Sequence, residues 1–193
     1  MVKLKELYST KSNLLSLFRL LMAIPFWFLL DHLDSANIRI LVFGLCLVGA
    51  ATDMLDGYLA RKFNEVTEMG KIIDPLADKI VVGVLIIKLF IAGEIAGYYF
   101  WMIILRDILI FIGGILVSKK LGRVLPSNML GKITVISISL VILLVLARID
   151  RQSIVFTGIY YISIVLIFSS LIGYAIRSIE FIKQQKNEVI QKS

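Results

Sequence analysis

Apolar residues run almost unbroken through this chain, with polar clusters only at short intervals. Runs of span length fall at roughly 13–31, 37–60, 71–92, 95–117, 125–147 and 154–176, each close to the about 20 residues that cross a bilayer as a helix. The pattern predicts an all-α integral membrane protein: one domain over residues 1–193 with six transmembrane helices. A short interfacial segment, residues 1–12, precedes them and a cytoplasmic tail, residues 177–193, follows. The first run reads as a true span and not as a cleaved signal, because no small-residue cleavage site follows it and the next span begins at once.

Composition supports this and excludes other classes. With 59% hydrophobic and 18% charged residues and a mean hydropathy of +0.90, the chain is too apolar for a soluble domain or a disordered one. Cys46 is the single cysteine, so no disulfide scaffold is possible. The net charge of +7 is unevenly spread along the spans. Lys3, Lys5, Lys11, Arg61, Lys62, Lys71, Lys119, Lys120, Arg123, Arg177, Lys183, Lys186 and Lys192 fall on one side, and only Arg39, Arg148 and Arg151 on the other. Positive charge is retained in the cytoplasm, so both termini and the loops near 61–70 and 118–124 are expected there, in a cell (inner or plasma) membrane. The surplus thus reads as orientation and contact with the anionic lipid bilayer, and nucleic acid is not an expected partner. Arg19, Lys79, Lys88, Arg106 and Lys132 remain inside predicted spans. Lys88, at the far end of its span, is expected to snorkel to the interface.

Charges inside spans are costly and usually line a polar cavity or a site. Asp53, Asp56, Asp74 and Asp78 lie in the stretch DMLDGYLARKFNEVTEMGKIIDPLAD. The first two are three residues apart and the last two four apart, so on helices each pair shares a face. Four carboxylates brought together by two helices and a tight cytoplasmic turn raise one another's pKa unless cations compensate them. An oxygen-only donor set without His or Cys suits Mg²⁺, Mn²⁺ or Ca²⁺. Two such ions about 3.5–4 Å apart would clamp a pyrophosphate for in-line displacement. The competing reading is a buried salt-bridge lattice with Arg61, Lys71 and Lys79. Gly57 and Gly70 remove side chains where a ligand or a helix must approach closely. Arg61, one turn beyond Gly57, suits a phosphate or serves as a positive-inside anchor.

The string Asp53-x-x-Asp56-Gly57-x-x-Ala60-Arg61, an eight-residue gap, then Gly70-x-x-x-Asp74-x-x-x-Asp78 resembles the signature of the CDP-alcohol phosphotransferase family at every defining position. The resemblance implies a six-helix membrane enzyme, usually a homodimer, which moves a phosphatidyl or related group from a CDP-linked donor to an alcohol and releases CMP. It implies that Asp53, Asp56, Asp74 and Asp78 hold two divalent ions, Mg²⁺ or Mn²⁺, with Asp78 also the general base. It further implies that Gly57 and Arg61 contact the CDP moiety of CDP-diacylglycerol and that Thr67 adds a hydroxyl. The segment from Asn13 through Ser16 to Arg19, with Pro25 beyond, is similar to the family's opening helix, whose polar residues reach towards the nucleotide; Ser16 also reads as a plain helix cap.

Arg106, beside Asp107, and Lys132, after Gly131, would with Arg177 form an anion pocket for a phosphorylated alcohol acceptor. The plain alternatives are an Arg106–Asp107 pair and interfacial snorkelling of Lys132 and Arg177. Within the family, the Gly131-Lys132 pair and the Arg106-acidic pair look like the branch that takes sn-glycerol 3-phosphate. Two departures, Asp107 where Glu is expected and Ile-Thr-Val after Lys132 without a second Lys, leave inositol phosphate, serine and phosphatidylglycerol as alternatives. A cation transporter would also use four buried aspartates, but no internal repeat is visible. A lipid-binding assembly factor explains the basic loops and not the aspartate spacing.

Overall fold

The computed structural model of the protein describes the backbone of residues 11–63, 70–121 and 129–192, and the side chains of residues 20–52, 79–117 and 129–183. Among these residues the regular structure is entirely helical: α1 Lys11–Leu29, α2 Ala36–Phe63, α3 Gly70–Ile91, α4 Gly97–Leu121, α5 Met129–Leu146 and α6 Ile154–Lys192, with a 3₁₀ turn at Leu30–His32. Each apolar run therefore became one helix. The main difference lies in α6, which does not stop near residue 176 but continues to Lys192. The helix outlasts its apolar run because residues 177–192 lack Gly and Pro, the residues that most readily end a helix.

Among the described residues, three helices are long and apolar enough to cross a membrane, over Gly97–Val117, Met129–Leu146 and Ile154–Lys183, and shorter apolar stretches cover Leu20–His32 and Ala36–Thr52. The surface supports a lipid setting. On α4, Trp101, Leu105, Ile108, Leu109, Ile112 and Leu116 are all exposed and recur at helical spacing, while Tyr99, Ile103 and Arg106 are buried. An apolar stripe of that length facing outward suits hydrocarbon and not water. The chain is a membrane protein whose described regular structure is all helical.

The helices group into two compact units, Met1–Ile95 and Ala96–Ser193. In the first, α1 packs on α3 and on α2 around Phe26, Leu30, Val42, Leu85, Ile86 and Leu89. Helix α3 ends at Gly93, whose φ of +70° is the left-handed conformation that favours glycine. The Gly93 N–H donates to Phe90 O (3.0 Å) and the Glu94 N–H to Leu89 O (2.9 Å), satisfying carbonyls that the helix end would otherwise orphan. This cap delivers Glu94 to Arg39, which is 4% exposed, pairs with the Glu94 carboxylate and donates from Nε to Leu33 O at 3.0 Å.

Lys88 does not snorkel. It is 6% exposed, its Nζ donates to Asp31 Oδ1 at 2.6 Å, and it lies 4.1 Å from the centroid of the Trp27 ring. A carboxylate and an indole face contributed by α1 and its 3₁₀ turn hold the ammonium inside, replacing the water that a snorkelling lysine seeks.

In the second unit, α5 and α4 each pack on α6. Thr134, Ser137, Ile138, Val141, Ile142, Val145 and Leu146 form the buried stripe of α5, with the three- and four-residue steps of one helical face. Its two polar members are satisfied by backbone. The Thr134 hydroxyl lies 2.7 Å from Leu130 O and 3.1 Å from Leu166 O, and the Ser137 hydroxyl donates to Thr134 O at 2.8 Å. Ser153 caps α6 by accepting from the Phe156 N–H at 3.2 Å.

Candidate active site

The expected donor and metal residues all belong to the first unit. Asp53, Asp56, Gly57 and Arg61 fall within α2, Asp74 and Asp78 within α3, and Asn13 and Ser16 within α1. Their side chains lie outside the described residues, as does Thr67 altogether. The two carboxylate pairs thus occupy the last turns of α2 and the first turns of α3. Among the described residues no group of three or more His, Cys, Asp or Glu side chains stands close enough to hold a metal ion.

The expected acceptor residues belong to the second unit, and here side chains are described. Arg106 is 5% exposed on α4 and meets groups from its own helix and two others. Its Nη1 donates to Asp107 Oδ1 at 2.6 Å, its Nη2 to Gly131 O on α5 at 3.3 Å, and its Nε to Ser170 Oγ on α6 at 3.3 Å. Burying a guanidinium requires such partners, since an unpaired ion in an apolar interior costs several kcal/mol. The Asp107 side chain is 40% exposed against 6% for Arg106, so the ion pair has one buried end and one partly exposed end. Lys132 is exposed one residue beyond Gly131, and Arg177 is half-buried on α6.

Sequence reasoning missed Ser170, and the structure reveals the signal that marks it. Along the α4–α6 contact, Tyr99 pairs with Ser163 (Oη–Oγ 2.8 Å), and seven residues later on both helices Arg106 pairs with Ser170. Seven residues are close to two helical turns, so both serines lie on one stripe of α6. Each hydroxyl also donates to the carbonyl three residues earlier, Ser163 to Tyr160 O at 2.6 Å and Ser170 to Ile167 O at 2.9 Å. Arg177 continues the stripe by another seven, and α4 carries Gly113 and Gly114 against Tyr174. A Cβ on Gly113 would sit 3.1 Å from Tyr174 Cε1, and one on Gly114 would sit 3.0 Å from the Tyr174 hydroxyl oxygen, so the paired glycines make room for that ring. Small hydroxyls at a seven-residue period in an apolar helix were the readable clue.

Known proteins similar to the chain identify its family. A curated relative from Aquifex aeolicus, named CDP-diacylglycerol–glycerol-3-phosphate 3-phosphatidyltransferase, is 33% identical over 177 residues, which are 88% of this chain and 96% of the relative. A protein of the same name from Wigglesworthia glossinidia brevipalpis is 31% identical over 83% of this chain and 90% of its own length. One from Bacillus subtilis is 37% identical over 62% and 63%. A profile of the CDP-alcohol phosphatidyltransferase family matches residues 9–172, taking in the aspartate helices, Arg106, Lys132 and Ser170. With most of its length so matched, the chain belongs to the CDP-alcohol phosphatidyltransferase family, a family of membrane transferases of phospholipid synthesis.

Proposed function

We propose that the protein transfers the phosphatidyl group of CDP-diacylglycerol to sn-glycerol 3-phosphate, releasing CMP and giving phosphatidylglycerophosphate. The observation that carries this reading is the near-complete alignment, 88% of this chain and 96% of the relative, with a protein named for that reaction. On this reading the six helices are six transmembrane spans of one domain, with both termini and the active site facing the cytoplasm, and the chain works as a homodimer.

Asp53, Asp56, Asp74 and Asp78, at the end of α2 and the start of α3, provide an all-oxygen donor set, which fits Mg²⁺ or Mn²⁺ and does not suit zinc. Bound divalent ions would supply neutralisation of the pyrophosphate and stabilisation of the departing CMP. The chain's own work is positioning and proton transfer. Gly57, Arg61, Thr67, Asn13 and Ser16 hold the CDP portion of the donor. Asp78 takes the proton from the acceptor hydroxyl as that oxygen attacks phosphorus and CMP departs. Arg106, Lys132 and Arg177 bind the phosphate of the acceptor, for which a planar guanidinium is well suited.

The test is to incubate the purified protein with CDP-diacylglycerol, Mg²⁺ or Mn²⁺ and a panel of acceptors, and to measure CMP release. Release with glycerol 3-phosphate that is lost in Asp78→Asn is the expected result. No CMP with any acceptor, or full activity in Asp78→Asn, overturns the enzyme reading. A preference for serine, inositol phosphate or phosphatidylglycerol overturns the acceptor alone.

A further inference from the structure

We propose that Ser170 is a positioning residue for the acceptor phosphate, holding the Arg106 guanidinium in the plane from which it meets the anion. The inference rests on the reading of Arg106 as an acceptor anchor. Ser170 is 2% exposed, and its hydroxyl hydrogen is committed to Ile167 O at 2.9 Å, which leaves its lone pairs to accept the Nε–H of Arg106. Arg106 therefore has two kinds of partner. Ser170 Oγ and Gly131 O are neutral groups that fix its direction without cancelling its charge. The Asp107 carboxylate is charged, adjacent in sequence and partly exposed, and so is the partner that an incoming phosphate dianion can exchange.

Removing the hydroxyl leaves the Nε–H unpaired in a buried site and lets the guanidinium turn towards Asp107, its strongest remaining partner. The loss falls on acceptor capture and not on the metal-bound donor. A ready control exists on the same helix. Ser163 is equally buried, makes the same bond three residues back, and is bonded by α4 in the same way, but through the neutral Tyr99.

The experiment measures steady-state kinetics of full-length Ser170→Ala, Ser163→Ala and Arg106→Lys, with inorganic phosphate as a competitor of the acceptor. For Ser170→Ala we expect the KM for glycerol 3-phosphate and the Ki of inorganic phosphate both to rise about tenfold, the equivalent of about 1.4 kcal/mol. The KM for CDP-diacylglycerol and kcat are expected to stay within about threefold, less than the tenfold that 1.4 kcal/mol represents. Ser163→Ala is expected to lower thermal stability and leave the acceptor KM in place. Equal rises in the acceptor KM for Ser163→Ala and Ser170→Ala would overturn the inference, because general loosening of the α4–α6 contact would then explain both. If Arg106→Lys raises the acceptor KM and phosphate Ki while Ser170→Ala does not, the positioning role fails and the anchor reading stands. If Arg106→Lys changes neither, the anchor reading itself fails.

Discussion

The buried ammonium of Lys88 makes an asymmetric prediction about two substitutions that remove the same ion pair. Asp31→Asn leaves the 6%-exposed cation facing an amide and the Trp27 ring. Lys88→Met leaves only Asp31, whose side chain is 49% exposed and can be hydrated, and fills the interior with an apolar side chain of similar length. Breaking a fully buried pair by removing one partner costs about 3–5 kcal/mol, whereas replacing buried ions with packed apolar groups is often neutral. With Asp31 already half in contact with solvent, and the indole face retaining about 1 kcal/mol of cation–π attraction, we expect Asp31→Asn to cost about 2 kcal/mol. Lys88→Met should stay within about 1 kcal/mol of the parent, and the double substitution should match it. For a chain of this size, 2 kcal/mol corresponds to a fall in Tm of about 4–8 °C. Thermal unfolding of the detergent-solubilised protein, followed by loss of CMP-releasing activity and by circular dichroism, reads this out. If Lys88→Met destabilises as much as Asp31→Asn, the cation is not the costly partner and the reasoning is wrong.

Four further outcomes follow from backbone geometry and chemistry. Gly93→Ala should cost about 1 kcal/mol in unfolding experiments although its Cβ would meet nothing within 4 Å, because the penalty lies in the positive φ alone. Arg148 ends α5 at φ 53°, with its N–H bonded to Val145 O, so Arg148→Gly should instead stabilise by about 0.5 kcal/mol by the same measurement. Gly44→Ala, with open space around it on α2, should raise stability by about 0.5–1 kcal/mol through helix propensity, and Gly113→Ala should forfeit that gain because the Tyr174 ring must shift. Chelation with EDTA should abolish CMP release, and Mg²⁺ or Mn²⁺ should restore it; activity that survives exhaustive chelation refutes the metal assignment.

The six helices were legible because apolar runs of span length leave few alternatives, and their observed bounds sit within a few residues of the runs except in α6. The proposed metal positions rest on spacings along α2 and α3, where the side chains lie outside the described residues. The fates of Arg39 and Lys88 were not. A cation near a span end reads alike whether it reaches outward to water or inward to a carboxylate 55 or 57 residues away, and only tertiary packing decides between them. Ser163 and Ser170 left only a seven-residue period in the sequence. Serine is compositionally mute, and its role here comes from which α4 residue arrives opposite it.

The two hydrogen-bonded rungs between α4 and α6 also bear on how the second unit moves. Sliding one helix past the other by a single turn, about 5.4 Å, would part Tyr99 from Ser163 and Arg106 from Ser170 at once. No neighbouring register restores them, because the pairs repeat only every two turns. Intermediate positions would strand a buried guanidinium N–H and a buried phenol, each at a cost of kilocalories. A one-turn slide along this contact therefore breaks both rungs together, so the pair of bonds holds α4 and α6 in a single register.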